Sequence, residues 1–321
     1  MRRLTFGVAL MLLITACGDD ATTETSDPSA ISAATNATAD DEIGGDFPSE
    51  CRPPPGPQLA YDPSGPNEFD VICDLVYKAA PSGIDQTLAA YIPTGTPTGE
   101  LLPTVIFFHT NGSPDEITRE DRERPISADW KTGLDTHAQV VASLGMVGIT
   151  FNYSQYPLVS DGGQVPREEA VGFAAQDAAD LLTYLAEHGE ELNVDPNRMC
   201  VWTAGTGSLV GAYATLTGDP EPQCAVVFTG FLDRPFAGQY SPVGVVSADM
   251  PPFFIARGGT DFVSNDGIDR FVSATREAGG EITLERVPGG FSFEMTDLPD
   301  TPAAIEKALD FVMQHLGIGA Q

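Results

Sequence analysis

The rhythm of hydrophobic and polar positions changes at residue 104. Before it, residues 71–77 alternate well enough for a half-buried strand, and 88–92 read as another strand that ends at Pro93. After it, short solid apolar runs alternate with stretches whose apolar residues recur every three or four positions. The runs at 104–108, 146–151, 199–202, 225–228, 253–255 and 282–287 predict buried strands. The periodic stretches at 135–144, 167–192, from 208 onward, 268–278 and 303–316 predict helices. In the first, Val140, Val141 and Leu144 form the inward stripe. The second opens with Pro166 and acidic residues in its first turn, a helix-start signal. Residues 194–198 read as a turn and 113–131 as a polar loop. The alternation predicts an α/β fold, a mostly parallel central sheet with helices on both faces. In such sheets functional residues gather past the carboxyl ends of the strands. His109, Gly205, Asp261 and Phe291 fall at those ends. Residues 229–249 have little period and are rich in Gly, Pro and aromatics. A long segment of that kind is expected to cap a pocket, with Phe291 and aromatics such as Phe231, Phe236 and Tyr240 making it apolar.

The pattern at the N-terminus is different in kind. Met1-Arg2-Arg3 is followed by an apolar stretch over 4–14 and then by Thr15-Ala16-Cys17, the layout of a secretory signal rather than a membrane span. Ile14-Thr15-Ala16-Cys17 resembles the bacterial lipobox. The resemblance implies a signal peptide at 1–16, cleavage before Cys17, lipidation of Cys17 and export to the cell envelope. The anchor would sit in the outer membrane or on the outer face of the plasma membrane. Residues 17–50 are small, polar and acidic and cannot bury enough surface to fold, so they are expected to form a flexible tether. Residues 51–317 are then one domain.

Charge narrows the partners. The chain carries 46 acidic and 16 basic residues, a formal net charge of −30. Nucleic acid and anionic lipid surfaces are poor partners for such a field, which leaves lipidated Cys17 as the route to a membrane. With Cys17 modified, Cys51, Cys73, Cys200 and Cys224 remain. An even number in an exported chain suggests two disulfides, with three possible pairings. Cys200 and Cys224 each open a predicted strand, and those strands are expected to be parallel neighbours, so the expected pairs are 200–224 and 51–73. No C-x-x-C motif is present, and Asp121, Asp129 and Asp135 lack the close grouping of a metal site. No metal or cofactor is expected. The sequence carries no signature of oligomeric state.

The stretch from Arg198 to Gly211 joins an apolar strand to a helix through small residues, Thr203-Ala204-Gly205-Thr206-Gly207. It resembles the nucleophile elbow of the α/β-hydrolases, where G-x-S-x-G holds a serine at the tip of a tight turn. Thr203 takes the first small position, Gly207 the last glycine, and Gly205 the nucleophile position. Downstream, Arg257-Gly258-Gly259-Thr260-Asp261 is similar to the segment that carries the acid, placing Asp261 there. Pro288-Gly289-Gly290-Phe291-Ser292-Phe293-Glu294 is similar to the segment that carries the histidine, placing Phe291 there. The resemblance spans about 85–316 and is to the dienelactone-hydrolase and carboxylesterase-like branch. It implies an α/β-hydrolase fold, with the backbone N–H of Thr206 and that of Thr110 or Asn111 as oxyanion donors.

What the resemblance does not carry over is the chemistry. Acyl transfer needs a hydroxyl or thiol nucleophile and a base to take its proton. Glycine supplies neither, and phenylalanine has no lone pair. The expected function is that of a catalytically inactive protein that keeps the pocket for a small apolar or ester-like ligand, or as a scaffold. The alternative is a carboxylic-ester hydrolase with an unorthodox site, for which Ser208 as a displaced nucleophile and His109 are the candidates. Against this, Ser208 one turn into a helix is expected to point away from the pocket and satisfy backbone groups at the helix start. His109 is expected to brace its loop. His137, His188 and His315 lie on predicted helices and are expected to be solvated or capping residues.

Overall fold

The solid apolar runs become strands because each can be covered on both faces, and successive side chains along them point to opposite layers. In the computed structural model, which describes residues 65, 67–79, 85–109, 128–154, 167–259, 265–288 and 301–319, eight strands form one sheet. They are β1 (Phe69–Lys78), β2 (Gln86–Pro93), β3 (Leu102–Phe108), β4 (Val147–Phe151), β5 (Val194–Ala204), β6 (Cys224–Phe228), β7 (Phe253–Gly258) and β8 (Ile282–Val287). Their order is β1-β2-β4-β3-β5-β6-β7-β8. β2 pairs antiparallel with both β1 and β4, and every pair from β4 to β8 is parallel. Five helices cover the sheet: α1 (Ala128–Ser143), α2 (Arg167–His188), α3 (Gly207–Thr217), α4 (Asn265–Ala278) and α5 (Thr301–His315).

Alternation splits the core into two layers. On one face Ile106, Phe108, Val201 and Val227 pack with α2, α3 and α4. On the other Val105, Phe107, Trp202 and Phe228 pack with α1 and α5. Trp202 anchors the second layer: its ring stacks on Phe228 with centroids 5.4 Å apart and tilts against Phe107 at 5.9 Å.

Three elements differ from the sequence pattern, each for a local reason. β5 begins at Val194, inside the expected turn. Leu102 pairs with Val194 and Thr104 with Met199, so the intervening residues bulge out of the strand. The bulge is built from turn chemistry: the Asp195 carboxylate accepts the Asn197 N–H at 3.0 Å and the Arg198 Nε–H at 2.6 Å. Burial raises the Asp195 pKa, but Arg198 and the Asn197 N–H outweigh it and hold the carboxyl below its ordinary value. The helical pattern at 167–192 tightens into a 3₁₀ turn at Gly189–Leu192 and stops at Asn193, which is left-handed at φ 56°. α1 starts at Ala128, ahead of its apolar stripe, because periodicity marks the buried face and not the polar residues that extend it.

His137 corrects the expectation of a solvated histidine. It is 2% exposed, with its ring centroid 5.8 Å from Trp202 and 6.5 Å from Phe107. Leu134, His137, Ala138 and Val141 share the inward face of α1, and position i+3 from Leu134 is a core position. His188 keeps the expected exposure, beside Glu191. His315 packs on Phe311 at 4.3 Å.

Cys200 and Cys224 sit opposite one another on β5 and β6, Cα atoms 4.7 Å apart, and form a disulfide. Cys73 is disulfide-bonded as well; Cys51, its expected partner, lies outside the described residues, as does Cys17. The Cys200–Cys224 bond closes a loop of sequence separation 24 that contains the end of β5 and all of α3. Loop-closure entropy for a ring of that size stabilises by about 3 kcal/mol. A Cys200→Ala/Cys224→Ala variant is expected to lose about that much stability in a reversible denaturant titration. A loss below about 1 kcal/mol would show that the loop is restrained by packing alone.

Candidate functional site

The junction of β5 and α3 is a left-handed turn. Gly205 has φ +54°, a conformation open to glycine and strained for other residues. Its N–H donates to the Phe228 carbonyl at 3.0 Å and its own carbonyl accepts the Phe231 N–H at 3.2 Å. The chain leaving β6 therefore grips the tip of the turn from both sides. Thr206, at φ −72° and ψ −29°, is the N-cap, and α3 starts at Gly207. This is the strand–turn–helix geometry expected for a nucleophile elbow, with no side chain at its tip.

Two further glycines let α3 start close to the sheet. A Cβ on Gly207 would lie 2.2 Å from the His109 carbonyl oxygen and 2.8 Å from that of Phe108. A Cβ on Gly211 would lie 2.3 Å from the Thr203 methyl carbon. The sequence signature of the elbow is thus partly a packing requirement.

Ser208 is fully buried and turned inward. Its Oγ lies 2.9 Å from the Thr203 hydroxyl, which also reaches the Val226 carbonyl at 3.2 Å. A Cβ on Gly230 would lie 3.2 Å from the Ser208 Oγ, so the loop after β6 covers it. The expected backbone cap is replaced by a side-chain pair, because Ser208 faces β5 rather than the open end of the helix.

His109 directly follows β3 and is 2% exposed. Its ring stacks on Tyr153 with centroids 4.3 Å apart and planes 11° apart, and the Tyr153 hydroxyl donates to the His109 carbonyl at 2.6 Å. The histidine is held as a brace between β3 and the segment after β4. Thr110, Asn111, Asp261 and Phe291 lie outside the described residues, so the acid and histidine positions enter only through the sequence.

Tyr153 is positioned by a cluster that motif reading did not find. Asp177 of α2 has a side chain 3% exposed; its carboxylate accepts the Ser154 N–H at 2.7 Å and pairs with Lys78 at 2.5 Å. Lys78 also pairs with Asp180 at 2.7 Å. Burial pulls the Lys78 pKa down, but hydrogen bonds to the two carboxylates outweigh it and raise the pKa above the ordinary lysine value. Its charge-dependent contribution to stability is therefore intact below the unfolded-state pKa and is lost as pH rises through the higher folded value. Beside it the Tyr77 hydroxyl donates to the Asn152 carbonyl at 2.6 Å. Burial is the main cause of the raised Tyr77 pKa, which keeps the phenol protonated. A signal for Asp177 was present in the sequence: it is the one charge in the apolar stripe Ala170, Ala174, Leu181, Leu185 of α2.

The aperiodic segment after β6 is ordered by short 3₁₀ turns at Pro235–Tyr240 and Pro242–Val245. Thr229 is left-handed at φ +49°, strain on the order of 1–3 kcal/mol for a β-branched residue. Phe231 is buried with the Arg234 guanidinium 4.3 Å above its ring. Phe236 packs on the layer under α2 and α3. Tyr240 lies on α2 at Gly172 and against Tyr213 of α3. The described residues contain no group of three or more His, Cys, Asp or Glu placed to hold a metal, and no helix long and apolar enough to cross a membrane.

No protein-family profile and no curated protein matches the chain. Solved structures do. A thermophilic esterase from the planctomycete Thermogutta terrifontis superposes with a TM-score of 0.59 at 19% identity, covering 79% of this chain and 94% of its own. Esterase 2 of that organism, phosphorylated by paraoxon, gives 0.60 at 21% identity over 80% and 96%. A truncated carbohydrate esterase from gut microbiota gives 0.59 at 16% identity over 82% and 99%. At these identities the likeness is one of fold: the chain has an α/β-hydrolase fold.

Two substitutions test the elbow. Gly205→Ala is expected to cost about 1–2 kcal/mol for its positive φ. Gly207→Ala is expected to cost more, because its Cβ meets backbone that must move. Equal, negligible effects in denaturant unfolding would contradict the close α3 contact. Asp177→Ala is expected to lose about 2–3 kcal/mol by stranding the Ser154 N–H and half of the Lys78 pairing. An unchanged unfolding midpoint would place that cluster outside the fold's stability.

Proposed function

We propose that this chain is an exported, lipid-anchored protein of the cell envelope whose hydrolase-fold site is catalytically degenerate and serves to bind a small apolar or ester-like ligand, with membrane contact only through lipidated Cys17. The observation that carries the reading is Gly205: a left-handed elbow tip with the hydrogen bonds of the turn intact and no atom to attack a carbonyl. Phe291, at the position where the family carries its histidine, supports it from the sequence. Ser208, sealed against Thr203, is a poor replacement, since a nucleophile must reach substrate and have its proton taken. His109 is committed to the Tyr153 stack. Glycine also fits the loss of catalysis, because it relieves the strain that a serine would hold at this φ.

The esterase neighbours favour a second reading, an ester hydrolase with an unorthodox site. Turnover separates the two. The purified chain is expected to hydrolyse p-nitrophenyl acetate and butyrate at the rate of buffer, and short-chain esters are expected to raise its melting temperature, since a ligand selective for the native state stabilises it. A Gly205→Ser/Phe291→His variant is expected to gain measurable turnover that is lost again with Asp261→Asn. Wild-type turnover that survives Asp261→Asn would overturn the degenerate-site reading.

A further inference from the structure

α2 and α3 do not close against each other along their whole length. Small residues on the facing stripes, among them Gly172, Ala175, Ala179 and Gly218, leave a groove of about 410 Å³ between the helices, within the usual range for small-molecule sites. Its end is walled by two tyrosines. Tyr240 reaches α2 because Gly172 has no side chain: a Cβ there would lie 2.7 Å from the Tyr240 hydroxyl oxygen. Tyr240 and Tyr213 stand edge to face, centroids 5.5 Å apart and planes at 73°, so they form a corner rather than a flat stack.

The electrostatics of the groove are one-sided. Among the described residues no basic side chain lines it, and Asp219 does. Asp219 is exposed and makes no hydrogen bond or ion pair among the described residues. The whole chain adds a net charge of −30, which concentrates cations at its surface. An anion is disfavoured by every one of these features. Aromatic faces attract cations through the negative face of the ring, and the alanine and glycine floor suits methyl or methylene groups. We infer that the groove between α2 and α3 is a binding site for an organic cation of the alkylammonium class, its ammonium held by the Tyr213–Tyr240 corner, with Asp219 adding negative charge to the groove lining. This site is separate from the elbow, and its ligand is independent of whether the elbow turns over esters.

The test uses the full chain and isothermal titration calorimetry at fixed ionic strength, with choline chloride as the probe and 3,3-dimethyl-1-butanol as its uncharged isostere. Choline is expected to bind saturably at one site, and the alcohol at least tenfold more weakly. Tyr213→Ala is expected to weaken choline binding at least fivefold, and Asp219→Asn by less than Tyr213→Ala. Ala179→Leu fills the groove while leaving every charge in place and is expected to abolish binding, whereas a loose counter-ion atmosphere would survive it. Absence of saturable choline binding, equal binding of the alcohol, or binding unaffected by Ala179→Leu would each overturn the inference.

Discussion

The pair of hydrogen bonds that hold Gly205 from both sides fixes everything near the candidate site. One ties its N–H to Phe228 at the end of β6, and the other ties its carbonyl to Phe231 in the loop beyond. Together they require a left-handed residue between β5 and α3, and they set where α3 begins. The helix can start there only because Gly207 and Gly211 present no side chain to the His109 carbonyl and the Thr203 methyl. The disulfide below the turn closes the same stretch of chain into a ring. A catalytic elbow and an empty one share this scaffold, so its persistence says nothing about chemistry. The atom at the tip decides that.

The edge of the sheet around the elbow is fastened by polar contacts rather than by more apolar packing. Asp177 takes the Ser154 N–H and Lys78, Ser154 follows Tyr153, and Tyr153 stacks on His109 while donating to its carbonyl. That carbonyl is the one Gly207 approaches. The series runs from the edge strand β1 to the first turn of α3 through hydrogen bonds and van der Waals contacts, with His109 one of its members. A charge-paired carboxylate inside α2 is costly to bury alone, and here each oxygen has a partner.

Much of this was legible in the sequence and some was not, for identifiable reasons. The strands and helices follow from hydrophobic period because both faces of the sheet are covered, and Cys200 and Cys224 are readable as neighbours because each opens an apolar run that predicts a strand. The elbow was readable because its glycines answer a steric need. The bulge at Asp195–Arg198 was read as a turn because its hydrogen bonds are those of a turn, carried out inside a strand. His137 was misplaced because residue type was weighed above its i+3 spacing from Leu134. Tyr153 and Asp177 carry no motif, and their roles come from contacts between segments far apart in the chain. The pattern of 229–249 marks Tyr240 only as one aromatic of a segment expected to cap a pocket. Its seat on α2 depends on the missing side chain of Gly172, a fact of packing rather than of pattern.

If the site is degenerate as proposed, no residue of this hydrolase fold serves as an activated nucleophile. Intact-protein mass spectrometry after exposure to paraoxon, the reagent that phosphorylates the Thermogutta esterase of the same fold, tests it directly. An unchanged mass is expected at reagent concentrations that modify an active serine stoichiometrically. A single stoichiometric diethylphosphoryl adduct, mapped to Ser208 or to any other residue beside the elbow, would contradict it.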